Sequence, residues 1–224
     1  NSTGSSNTAG GTDSLKANTT GASNTALGYL SLRNNTTASD NTAVGHQALF
    51  TNATGANNVA IGKNALYYNT ASSNTAVGQL AMTNTTTGTN NTAVGQNSLT
   101  ANTTGGANIA IGVNSLDSNT TGADNTGIGF QTLCTLTNGN RNTAVGKNAL
   151  LNMSGSGDRN NTAIGHSAGT NVSTGFNLTL LGYSAEPSSG TATNEITLGD
   201  ANVTTLRMGN GVNIVSGGAL VGGS

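Results

Sequence analysis

Asp13, Asp40, Asp117, Asp124, Asp158, Glu186, Glu195 and Asp200 are the chain's eight acids, His46 and His166 its two histidines, and Cys134 its one cysteine. Three kinds of chemistry are open to such a set: glycoside hydrolysis by paired carboxylates, metal ligation and thiolate attack. Glycoside hydrolysis needs two carboxylates about 5–9.5 Å apart. Asp40 and Asp124 hold the same place in units of a repeat five units apart, which at a strand spacing of ~4.8 Å separates them by roughly 24 Å. Asp117 and Asp124 share one turn region and read as solvated turn residues. Asp158 beside Arg159, in the one enlarged turn, reads as a surface ion pair or as simply exposed. The two histidines stand seven units apart, roughly 34 Å by the same spacing, so one chain does not bring them to a shared metal. The calcium-binding G-G-x-G-x-D repeat is missing. Cys134 has no partner for an internal disulfide, and no histidine or cationic cluster next to it to lower its pKa. The many G-x-x-G strings are not followed by the Lys-Ser/Thr pair of a phosphate loop. No catalytic, cofactor-binding or metal-ligating residue is therefore expected, and the chain is not read as an enzyme. Asn-x-Ser/Thr sequons at Asn18, Asn35, Asn84, Asn102 and Asn119 are read as products of an Asn- and Thr-rich composition rather than glycosylation sites.

What positions these residues is a repeat. "NTAVGHQAL" at 41–49 returns as "NTAVGQNSL" at 91–99 and "NTAVGKNAL" at 142–150. Its glycine marks every unit: Gly28, Gly45, Gly62, Gly78, Gly95, Gly112, Gly129, Gly146, Gly165, Gly182 and Gly199, in steps of 17 residues except one of 16 and one of 19. Four residues before the marker stands Asn in nine consecutive units: Asn24, Asn41, Asn58, Asn74, Asn91, Asn108, Asn125, Asn142 and Asn161. One before is Val, Ile or Leu; two before is usually Ala; four after is nearly always Leu or Met. A period of 17 is too short for a helical-hairpin repeat, which needs about 33 residues. β-Branched residues spaced by two read as a short strand. The residue after the marker is as varied as Tyr29, His46, Lys63 and Phe130, a mixture that a narrow core does not accept, so the chain must bend at each marker glycine. We expect a second short strand after the bend, with Leu pointing inward. The fold class is thus all-β, a parallel β-solenoid or β-roll with two short strands per coil. The Val/Ile row is expected inside, together with the Thr row that shares its parity. The fixed Asn is expected to form a ladder of stacked amides at a corner.

The composition fits this reading. Only 7% of residues are charged, against about 25% in an ordinary soluble domain, and the net charge is −1. Seven Lys and Arg, thinly spread, do not suit nucleic acid. No stretch of about 18 apolar residues is present to span a membrane. No signal peptide is visible and residue 1 is Asn, which suggests a processed piece. Residues 1–185 form the repetitive roll. Residues 186–224 form an atypical terminal coil and a glycine-rich tail; the Asn place is taken by Leu178 just before this segment and by Glu195 within it.

Each unit offers about three inward apolar groups, for example Val44, Ala48 and Leu49. Burying a Val or Leu is worth about 1.5–3 kcal/mol, whereas ordering each residue costs roughly 1–2 kcal/mol. A solitary roll this thin is poorly balanced, so an obligate oligomer is expected. The words "NVAIG" at 58–62, "NIAIG" at 108–112 and "NTAIG" at 161–165 resemble the repeats of trimeric autotransporter adhesin (YadA-like) heads and of bacteriophage tail-fibre rolls. The resemblance covers about residues 7–185. It implies a left-handed parallel β-roll, three chains side by side as a homotrimer, and apolar strips at the centre, on a cell surface or virion. The unit here is longer than in those heads. Residues 194–208, "NEITLGDANVTTLRM", are similar to the segment that precedes an intramolecular chaperone domain in tail fibres.

The expected role is a stiff, non-catalytic, extracellular fibre segment for attachment. Its contact candidates are Tyr29, Phe50, Tyr67, Tyr68 and Phe130 and the enlarged turn at 151–160 with Asp158 and Arg159, because rigid scaffolds carry recognition on their loops. A self-assembling filament joined head to tail is the near alternative. An ice-binding solenoid is a more distant one, disfavoured here because the Thr row is expected to face inward.

Overall fold

A computed structural model of the chain describes residues 2–205. The glycine-rich tail from 206 onward lies outside the described residues. Fourteen short strands follow one another: β1 (Thr8–Gly10), β2 (Thr25–Leu27), β3 (Thr42–Val44), β4 (Val59–Ile61), β5 (Thr75–Val77), β6 (Thr92–Val94), β7 (Ile109–Ile111), β8 (Thr126–Ile128), β9 (Gly139–Asn140), β10 (Thr143–Val145), β11 (Gly157–Asp158), β12 (Thr162–Ile164), β13 (Phe176–Leu181) and β14 (Thr193–Leu198). Twelve of them form one sheet in chain order, and the remaining two, β9 and β11, pair with each other. All pairs are parallel and in register with the repeat: Thr25 lies over Thr42, Ala26 over Ala43, Leu27 over Val44. The fold is a parallel β-solenoid.

Each regular coil holds one three-residue strand, not two. After the marker glycine the chain runs through turns. The reason lies in the backbone. From Gly28 to Gly165, residues two and four beyond each marker adopt left-handed φ, as in Gln47 (57°) and Leu49 (51°), so the segment cannot extend. It is nevertheless hydrogen-bonded from coil to coil: the Leu32 N–H donates to Ala48 O at 2.9 Å and the Leu49 N–H to Ala65 O at 3.0 Å. Parallel stacking satisfies these backbone groups without strand geometry. Leu in a left-handed conformation costs roughly 1–2 kcal/mol. The cost is offset because this φ turns the Leu side chain fully inward: Leu32, Leu49, Leu66, Leu99, Leu116 and Leu133 have no exposed surface.

The strand alternation is opposite to the sequence expectation. Ala, two before the marker, is the inward residue: Ala43, Ala60, Ala76 and Ala93 are fully buried. The apolar residue one before the marker faces out, with Ile61 at 40%, Ile111 at 38% and Ile164 at 44% exposure. Val44 is half-buried, whereas Ala48 and Leu49 are buried as expected. The core is too thin to hold a Leu from the turn and a β-branched side chain from the strand at the same level, and the Leu takes the space. Two coils demonstrate this volume limit. Where Gly169 replaces the inward Leu, Leu180 replaces the inward Ala and is fully buried; a Cβ on Gly169 would stand 2.8 Å from Leu180 Cδ1. Where Thr132 replaces Ala or Ser three beyond a marker, Gly127 replaces the strand Ala, and a Cβ there would stand 2.9 Å from Thr132 Oγ1. Interiors packed to crystal density require such paired changes.

Marker glycines carry two constraints at once. Gly95 has φ +130°, and a Cβ on it would meet the carbonyl oxygen of Gly112, one coil on, at 2.6 Å. From Gly28 to Gly165 every marker has this relation to the next, at 2.1–2.7 Å. Side-chain-free stacking, more than the bend alone, makes glycine obligatory there.

Candidate functional site

The asparagine ladder is real and longer than the sequence reading had it. The Asn24 N–H donates to Asn7 Oδ1 at 2.9 Å, and the pattern continues through Asn41, Asn58, Asn74, Asn91, Asn108, Asn125 and Asn142 to Asn161. Each amide oxygen receives the next coil's backbone N–H, and each amide nitrogen donates to a turn carbonyl, as Asn41 Nδ2 does to Gly55 O at 3.0 Å. The last acceptor, Asn161 Oδ1, binds the Leu178 N–H at 3.0 Å, and there the ladder ends. These buried amides are structural.

A second amide column was missed. Asn18, Asn35, Asn52, Asn69, Asn102 and Asn119 stack beside the first column, sharing its turn carbonyls (Asn24 Nδ2 and Asn35 Nδ2 both donate to Ala38 O), with Asn35 Nδ2 donating to Asn18 Oδ1 at 2.8 Å and Asn119 Nδ2 to Asn102 Oδ1 at 3.1 Å. The recurrent "NTTG" carried the same period and was the available signal. Leu136 follows Asn119 in this column, and Asn119 Oδ1 is buried without a partner. The column decides the sequons: Asn18, Asn35, Asn102 and Asn119 are buried, and only Asn84 of the five is exposed.

The outer face of the sheet is a two-row surface. One row holds Thr25, Thr42, Thr75, Thr92, Thr126, Thr143 and Thr162, interrupted by Val59 and Ile109; the other holds Leu27 to Leu181, all Val, Ile or Leu. The Thr row therefore faces out, and the inward placement expected for it is corrected by the reversed alternation. No charged residue lies on either row over β1 to β13. The hydroxyls of these strand threonines make no hydrogen bond to the protein, whereas turn threonines are bonded to the next coil, as Thr36 Oγ1 is to Ala53 O (3.1 Å) and Thr103 Oγ1 to Thr120 O (3.0 Å).

Residues following the markers project outward, as expected, and stack along the rod. Tyr29 lies on His46 with ring centres 5.4 Å apart, His166 on Tyr183 at 5.6 Å, and the Lys147 ammonium sits 5.9 Å from the centre of the Phe130 ring. A second column joins Arg33, Phe50 and Tyr67: the guanidinium is 5.9 Å from the Phe50 ring, Phe50 and Tyr67 stack at 5.0 Å, and Tyr68 meets Tyr67 edge-on at 4.6 Å. None of the seven aromatic residues is in the buried core, although aromatics ordinarily dominate cores.

The enlarged turn at 151–160 differs from its expected pairing. Asp158 pairs with Arg141, one coil below, and accepts from Asn140 Nδ2 at 3.1 Å. Arg159 instead donates from Nη1 to Thr174 O at 2.9 Å. The insertion lets Gly157 and Asp158 pair with Gly139 and Asn140, and that short ladder sets the partner.

Asp117 and Cys134 are neighbours on successive coils. Burial pushes the Asp117 carboxyl up, against a lowering hydrogen bond from Thr100. Burial and then the Asp117 charge push the Cys134 thiol up. A thiol so placed is a poor nucleophile. Among the described residues no group of three or more His, Cys, Asp or Glu is placed to hold a metal ion, and no helix is long and apolar enough to cross a membrane. Comparison with known proteins finds no family model, no curated protein and no solved structure that matches this chain.

Proposed function

We propose that the chain is a non-catalytic structural segment of an extracellular or virion-surface attachment fibre, in which three parallel copies pack side by side through their strand faces. The observation that carries this reading is the unbroken row of half-exposed Val, Ile and Leu from Leu27 to Leu181, uncharged throughout. Apolar patches of such length mark interaction surfaces. Twelve strands at ~4.8 Å give a rod about 55 Å long, and mating rods in parallel register would cover the whole row at once. The resemblance of "NVAIG" and "NIAIG" to adhesin-head and tail-fibre repeats supports the same arrangement. Surface recognition then falls to the outward aromatic columns and the enlarged turn. Joining of such rods end to end into a filament would use the outer edges of β1 and β14.

Sedimentation equilibrium of the purified chain tests the reading. A trimer that dissociates when Val94 and Ile111 are changed to Lys supports it. A monomer at high concentration contradicts it.

A second reading is favoured by one observation, the unpartnered Thr hydroxyls beside the apolar row. A rigid array of hydroxyl and methyl groups at fixed spacing suits adsorption to an ice lattice. It needs the same face free. Thermal hysteresis in a monomeric sample, lost on Thr92→Lys, would select it over the fibre.

A further inference from the structure

We propose that Asn138 and Gly139 form a site of spontaneous deamidation and backbone isomerisation, set apart by the fold from the asparagines that build the solenoid.

Three observations carry this. First, the turn position before the small residue is Thr at Thr20, Thr37, Thr54, Thr87, Thr104 and Thr121 and Ser at Ser154, and only here is it Asn. Second, the glycine that follows is imposed by packing. A Cβ on Gly139 would stand 2.7 Å from both Gly155 O and Leu136 Cδ1. The coil thus fixes glycine after Asn138, so no side chain on the following residue crowds the attacking backbone nitrogen. Third, the Asn138 side chain is exposed, and the Thr137 hydroxyl donates to its amide oxygen at 3.3 Å.

The chemistry follows from that placement. The Gly139 backbone nitrogen attacks Cγ of Asn138 and gives its proton to a solvent base. The carbonyl electron pair moves onto Oδ1, where the Thr137 hydroxyl stabilises the developing charge. Collapse breaks the Cγ–Nδ2 bond and expels ammonia, leaving a five-membered succinimide. Water then opens the ring at either carbonyl, giving aspartate or isoaspartate. The balance is amide plus water to acid plus ammonia, with no oxidant, reductant or cofactor. Each event adds one negative charge. The isoaspartate branch inserts an extra methylene into the main chain just before β9, whose pairing with β11 holds the enlarged turn.

The ladder asparagines from Asn24 to Asn161 are buried, and none is followed by glycine. Asn125 is buried, its amide oxygen receives the Asn142 N–H at 3.0 Å and Nδ2 at 2.9 Å, its amide nitrogen donates to Gly139 O, and Thr126 follows it. A second Asn-Gly pair, Asn210–Gly211, lies outside the described residues and serves as a reference on a separate peptide.

The test is peptide mapping by mass spectrometry of the folded chain aged at mildly alkaline pH. The expected result is the mass gain of an amide-to-acid change on the peptide bearing Asn138, resolved into aspartate and isoaspartate products, faster as pH rises and ahead of every buried asparagine. Asn138→Thr, the residue other coils use, is expected to abolish that change with an unaltered circular dichroism spectrum. The proposal is overturned if Asn138 stays intact in the folded chain while the urea-unfolded chain converts there. Ladder asparagines converting as fast would overturn it too.

Discussion

The amide oxygen of Asn91 accepts the backbone N–H of Asn108, one coil on, at 2.9 Å, and a second bond from Asn108 Nδ2 at 3.2 Å. One buried side chain thereby satisfies the corner of the neighbouring coil, and the neighbour does the same for the next. A solenoid with so little apolar volume depends on these reciprocal bonds to keep its backbone dry and paired.

Asn91→Ala removes that acceptor and the donor to Gly105 O. The buried Asn108 N–H is left without a partner, which costs about 1–3 kcal/mol per stranded group. Urea unfolding should show this loss at the centre of the ladder. Asn84→Ala, on the surface, should stay within about 0.5 kcal/mol of the parent.

Gly95→Ala places a methyl 2.6 Å from the Gly112 carbonyl at φ +130°. Neither coil can yield without shifting the next. We expect a loss above about 2 kcal/mol, from strain at positive φ and backbone clash together. Thermal melting checks it, with Gly157→Ala, where nothing lies within 4 Å, as the control for φ alone.

Gly127 and Thr132 should behave as a coupled pair. Gly127→Ala alone crowds the Ser115 and Thr132 hydroxyls, 2.7 and 2.9 Å from the new methyl. Thr132→Ala alone leaves a void. The double variant restores the pattern of the other coils. A double-mutant cycle by urea unfolding should show favourable coupling in the range of about 0.5–3 kcal/mol.

Glu195 accepts the Ser188 hydroxyl at 2.7 Å and the Ser188 N–H at 2.8 Å. The Ser188 side-chain bond, then its backbone bond and Thr197, hold the carboxyl below its ordinary value near 4.5. A carboxylate lowered in the folded state adds stability above its unfolded pKa, and that stability is lost as pH falls through the folded value. The terminal coil should therefore loosen below about pH 4.5. The melting-temperature gap between the parent and Glu195→Gln should close over the same range.

The period, the marker glycines and the asparagine corner were legible because each repeats one residue type at one position. The facing of the strand was not. In a Thr-Ala-Val triplet, hydropathy pushes Val inward, and Ala suits either side. What decides the matter is Leu49 and its equivalents, whose left-handed backbone is invisible in a sequence because Leu rarely adopts it. The same segment read as a strand for that reason. The second amide column hid in plain repetition, since Asn35 and Asn52 stand in strings that also read as polar turns. Asp158 was matched to its neighbour in sequence, Arg159, because only the two-residue strands β9 and β11 bring Arg141 alongside.

In the strands Ala faces in and Val faces out, and the proposed assembly brings copies together through the Val row. Single cysteines in a Cys134→Ser background test both parts in one oxidation experiment. Val94→Cys should form disulfide-linked pairs of chains, while Ala93→Cys stays monomeric and closed to thiol reagents in the folded state. A Val94→Cys chain that never cross-links, or an Ala93→Cys chain that labels freely, would contradict the account.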